Sequence, residues 1–242
     1  MITTKEKNAT ITELKAIPVI KPGWSSDRWQ GIQHGELVEM IHGKLQENKV
    51  LVTDESWFPN GPDLQRLNGS MSLEIPGVDA VEGTSFSLGV LHSNLGDHAL
   101  KFAVGAKIFI CSNGMVIGDY TVNRKHTTGL DLNESIGVGI ETYIERAKEI
   151  PAVIQNMKET RLSKVAADQS LMQAGREGLM SWSRIGMVDK EYRKPTFAAH
   201  NEKTAWSLYN AFTYTIQKMP AQYHIKGLNR FREILIDDVK IA

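Results

Sequence analysis

Cysteine is nearly absent from the chain. Cys111 is the only one among 242 residues, so no intrachain disulfide can form and no cysteine-built zinc site can arise from one copy. Long apolar runs are missing too. Nothing approaches the roughly 18 residues a membrane helix needs, and we expect no membrane contact. Met1 to Lys7 is polar and no apolar stretch follows it, so we expect no secretory leader and a cytoplasmic location. Net charge is also lacking, with 28 basic and 28 acidic residues. The hydrophobic fraction of 41% and charged fraction of 23% exclude a disordered or fibrous chain.

The recurrent catalytic fingerprints are absent as well. There is no GxxxxGK followed by Ser or Thr, and no GxGxxG. Gly137-Val138-Gly139 follows a polar loop rather than a strand, which the phosphate-binding mechanism would require. No HExxH and no GxSxG occur. Cys111 ends an apolar strand, where a cysteine is more often a small buried hydrophobe than a nucleophile. We identify no catalytic residue and no cofactor, and enzyme activity is less expected than binding.

What is present is a patterned charge. Residues 1–100 carry 8 basic and 13 acidic side chains, and residues 101–242 carry 20 and 15. Between Arg176 and Arg232 there are 10 basic residues against 4 acidic ones. Trp182, Tyr192, Phe197, Trp206, Tyr209, Phe212, Tyr214 and Tyr223 are interleaved with them. Cations that track phosphates and aromatic faces that stack bases suit single-stranded nucleic acid. The plain alternative is a core of aromatics under a solvated basic face. The charge split also suits self-association, acidic half against basic half.

The hydrophobic period changes along the chain. Residues 1–23, with Pro18 and Pro22, read as an irregular arm. Asp27 to Asn48 has helical spacing through Ile32, Leu37, Met40, Ile41 and Leu45. Short strands follow: Lys49 to Thr53, Met71 to Ile75, Phe86 to Val90, Phe102 to Ile110 and Met115 to Val122. Ser93 to Asp97 supplies turn residues for a hairpin. From Leu132 the period is helical, with Asn133 as the expected N-cap. Pro151 should kink or divide that helix. Thr204 to Met219 reads as an amphipathic helix closed by Pro220, on whose apolar stripe Trp206 and Tyr209 read as core, and Leu228 to Val239 as a last one. The order predicts an α+β fold: an antiparallel sheet of about four to six strands, packed by a long kinked helix and a helical C-terminal tail. The divisions are an arm (1–23), an α+β core domain (24–175) and a mainly helical C-terminal region packing on that core (176–242).

Three groups are candidates for function. Arg124, Lys125 and His126, before a helix start, suit a phosphate. Lys101 and Lys107 on the sheet, and Arg184, Arg193 and Lys194 in the tail, extend the cationic set, with Trp182 or Tyr192 to stack a base. His92, Asp97 and His98 bracket the expected hairpin loop and are the candidates for a divalent metal.

The segments His92 to Asp97, Cys111 to Gly114, Arg124 to Thr127 and Lys203 to Thr213 occur in an order that resembles the phage/plasmid-like proteins of the domain-of-unknown-function 932 family. His92-Ser93-Asn94 departs from that family's usual Ser-His-Asp. The resemblance implies a mobile-element protein in a bacterial host cell and brings no catalytic residues. The leading expectation is therefore a non-enzymatic, homo-oligomeric protein that binds single-stranded DNA, as in strand annealing during replication or recombination. One alternative is an anti-defence protein that inhibits a host protein complex. Another is a metal-dependent enzyme acting on nucleotides or nucleic acid.

Overall fold

In a computed structural model, residues 8–97, 99–108, 114–121, 131–219 and 224–239 are described. The first element is a helix that the arm reading did not anticipate, α1 (Ile11–Lys15). Thr10 accepts from the Glu13 N–H, and the Glu13 carboxylate accepts from the Thr10 N–H. This reciprocal cap satisfies donors that a one-turn helix cannot pair itself. Helix α2 (His34–Glu47) is shorter than its periodicity suggested, because residues 27–33 form a loop capped by Gln33. An added Cβ at Gly35 would meet the Lys15 backbone nitrogen at 2.9 Å, so glycine lets α1 and α2 touch.

Five strands follow: β1 (Leu51–Asn60), β2 (Arg66–Glu74), β3 (Thr84–Ser93), β4 (Lys101–Ile108) and β5 (Gly114–Thr121). They lie in the order β1-β2-β3-β4-β5. The β1–β2 and β2–β3 pairs are antiparallel. Strand β1 runs through Pro59 and Asn60. It is an edge strand, where a residue without an N–H is tolerated, and at Trp57 the preceding chain covers it: Ala9 N–H donates to the Trp57 carbonyl and Trp57 N–H to Asn8 Oδ1. Strand β3 keeps the alternation read from sequence, with Phe86, Leu88 and Val90 buried.

The remaining elements are helical: α3 (Leu132–Ala147), α4 (Ile150–Glu159), α5 (Lys164–Arg176), α6 (Trp182–Arg193), α7 (Ala205–Ile216) and α8 (His224–Val239). Pro151 sits in the first turn of α4, where its missing N–H costs nothing, and the helix is broken just before it. The α3 cap is Asp131, not Asn133: its carboxylate accepts from the Glu134 N–H at 2.9 Å. The fold is α+β, with an antiparallel sheet, a kinked helix and a C-terminal helix.

The chain divides into two units, Met1–Val78, Phe86–Val104 and Tyr120–Ala147 in the first, and Asp79–Ser85, Gly105–Asp119 and Lys148–Ala242 in the second. In the first unit, α2 packs against α1, β1 and α3, and Leu37, Val38, Ile41, Ile136, Ile140 and Tyr143 are fully buried. In the second, α7 is the central element, packed by α4, α6 and α8. The Phe212 and Phe231 rings stack at 4.0 Å between α7 and α8. No helix among the described residues is long and apolar enough to cross a membrane.

Candidate nucleic-acid interface

In the second unit, α5 and α6 run side by side as a helical hairpin. Trp182 begins α6 and remains 56% exposed. Its indole rests on Gly175 of α5, where an added Cβ would meet the ring at 2.4 Å. One ring face is thus seated on backbone while the side chain is largely open to water. Arg176, next in sequence to Gly175, is exposed, Arg184 is half-buried, and Lys190 and Lys194 are exposed.

The neighbouring candidates differ from Trp182. The Arg193 guanidinium is bound by the Asp189 carboxylate on its own helix and by Asp168 on α5, each at 2.8 Å. Donating to the Asp189 carboxylate raises its pKa. Its charge is spent on bracing the hairpin. Tyr192 is buried, which raises its phenol pKa. The Lys203 ammonium lies 5.0 Å over its ring and donates to the Tyr192 carbonyl at 2.6 Å. A base stacked on Tyr192 would have to displace that packing.

Lys101 opens β4 and is half-buried. Lys107 lies in the same strand, with its side chain outside the described residues. Arg124, Lys125 and His126 also lie outside them, as do Cys111 and His98.

Of the three candidate metal ligands, His92 and Asp97 are described and His98 lies outside the described residues. His92 is fully buried and meets α2, with its Nδ1 3.2 Å from His34 Nδ1. Asp97 accepts from the Arg66 Nε–H at 2.8 Å and from the Ser93 hydroxyl at 2.5 Å. Among the described residues, no group of three or more His, Cys, Asp or Glu is placed to hold a metal ion.

The His34–His92 pair escaped the sequence reading because 58 residues separate its members and no local spacing marks it. The Leu64 carbonyl, 2.9 Å from His34 Nε2, can only accept. His34 therefore carries its proton on Nε2, and its Nδ1 accepts from the His92 Nδ1–H. Burial lowers the His34 pKa, which keeps that ring neutral.

Of the four segments that carried the family resemblance, two are fully described, while residues 111–113 and 124–127 lie outside the described residues. His92 to Asp97 ends β3 and forms the following turn. Lys203 to Thr213 is α7 with its cap: Thr204 accepts from the Ser207 N–H, and Trp206, Tyr209 and Phe212 are core, as their helical stripe predicted. The longest motif is therefore structural. No curated protein and no solved structure matches the chain. A family model does match, over residues 23–234, and the protein belongs to the family that it describes, Domain of unknown function (DUF932).

Proposed function

We propose that the protein binds single-stranded DNA without chemistry of its own, in the cytoplasm of a bacterial host, during replication or recombination of a phage or plasmid. Trp182 supplies the stacking face. Arg176, Arg184, Lys190 and Lys194 supply cations for the phosphates. Arg193 and Tyr192 are left out of this set, since two carboxylates hold the first and the core holds the second. Arg124, Lys125 and His126 stay within the proposal on their sequence alone.

The observation that supports the reading is Trp182 itself. A largely exposed indole leaves apolar area in water, at about 25 cal/mol per Å². A glycine that seats the ring and cations in the flanking sequence suit sequence-tolerant stacking on bases.

Fluorescence anisotropy with a labelled deoxythymidine oligonucleotide tests this. Binding is expected at low salt and weakens as salt rises, because phosphate contacts release counterions. Trp182→Ala should lose about 1–3 kcal/mol, roughly 5- to 150-fold in Kd. Wild-type protein that fails to bind at low salt overturns the proposal. Unchanged affinity in Trp182→Ala removes the assigned platform.

A further inference from the structure

A second exposed apolar group lies in the first unit. Val19 is 38% exposed, Ile20 41%, Trp24 66% and Leu64 45%. They come from separate segments that buried polar side chains fasten to one end of the sheet. Gln65, 2% exposed, accepts from the Ile20 N–H at 3.1 Å and donates to the Pro18 and Asp63 carbonyls. Asn94, 1% exposed, brackets Ile32, accepting its N–H at 2.9 Å and donating to its carbonyl at 3.0 Å. The Asn94 N–H in turn donates to the Gln65 carbonyl. Trp24 lies on the turn that follows: an added Cβ at Gly96 would meet its indole at 2.4 Å.

Leu64 stands out in this group. Its φ is 58°, a left-handed conformation that favours glycine, yet its side chain remains in water. His34 grips its carbonyl from below. Backbone strain of this kind persists where the surrounding structure imposes it, and it concentrates at functional positions.

We propose that this end of the first unit is a two-fold interface with a second copy of the chain. The charge around it points to that occupant. Lys21, Arg28 and Arg66 lie within or beside these segments, and so do Asp27, Asp63 and Asp97. Three cations and three anions give no net field to draw a polynucleotide, an acidic peptide or a basic one. They do suit a copy of themselves, since a two-fold axis sets the same patch against itself and lets each cation meet an anion. Arg66 already binds Asp97, and Lys21 lies 3.5 Å from Asp27. Arg28 and Asp63 are both exposed and have no ion pair among the described residues, so they are the pair left to exchange between copies. Exposed apolar side chains including a tryptophan, with charges of both signs in the same segments, match the composition of such contacts. This inference does not rest on the DNA reading.

Light scattering on the full chain, free of nucleic acid and at high micromolar concentration, tests it. The expected mass is twice 27.0 kDa. Leu64→Gly removes the side chain and relaxes the positive φ at once, so it should keep the fold, as far-ultraviolet circular dichroism checks, and run as a monomer. Trp24→Ser should do the same. A wild type that stays at 27.0 kDa overturns the proposal, including the case in which only a host protein covers the patch. So does a dimer that persists in either variant.

Discussion

Single buried groups set the first unit's response to pH. Burial lowers the His34 pKa below its ordinary 6.5, so the folded protein resists a proton that the unfolded chain accepts. Stability is then fully present above pH 6.5 and falls as pH drops through and below that value. The proton would also place a second N–H against the His92 Nδ1–H, which a neutral pair avoids. Urea midpoints measured between about pH 8 and pH 5 should decline, and His34→Gln should flatten the decline. Tyr143 gives the opposite kind of prediction. It is fully buried on α3, and its hydroxyl has no hydrogen-bond partner among the described residues. Burial alone raises its pKa. Removing an unsatisfied hydroxyl relieves a desolvation penalty, so Tyr143→Phe should match or exceed the wild type in stability by up to about 1 kcal/mol, read from denaturant midpoints. Neither effect was legible in the sequence, where His34 and Tyr143 are ordinary residues of helical stretches.

Among the elements, α7 shows what the longest family motif does. Eleven of its twelve residues are buried, Ser207, Asn210, Thr213 and Thr215 included. Thr213 and Thr215 donate to the carbonyls four residues back, and Asn210 donates to the Trp206 carbonyl. Apart from Asn210 Oδ1, which has no partner among the described residues, the helix and its cap pair their own polar side chains, so it can be covered on all faces. Thr204→Ala removes the cap and should cost about 1 kcal/mol. Phe231→Ala empties the stack on Phe212 and should cost about 3–5 kcal/mol. Thermal melts followed by circular dichroism would rank the two. The helical spacing of Leu208, Tyr209, Phe212 and Ile216 had announced this element. The α1 helix and the length of β1 had not been visible. A five-residue helix has no period to detect, and an edge strand with only Trp57 fully buried shows no clean alternation.

For the whole molecule, the basic excess of the later chain is only partly available to a polyanion. Arg193 is tied to Asp189 and Asp168, and Arg230 to Glu177 and Glu233. A count of charges along the sequence cannot separate such braces from free cations, because pairing depends on which helices lie side by side. The slope of oligonucleotide affinity against salt reads the difference: Arg193→Gln should leave it nearly unchanged, while Lys190→Gln with Lys194→Gln should reduce it. The sequence by itself determined the α+β class, the break before Pro151 and the core stripe of α7, because each follows from local period and from proline's missing N–H. Only the tertiary structure decided that His92 meets His34, that Tyr192 is core while Trp182 is open, and that Leu64 is held out under strain. Those outcomes join residues far apart in the chain, and proximity of that kind leaves no periodic trace in the order of the amino acids.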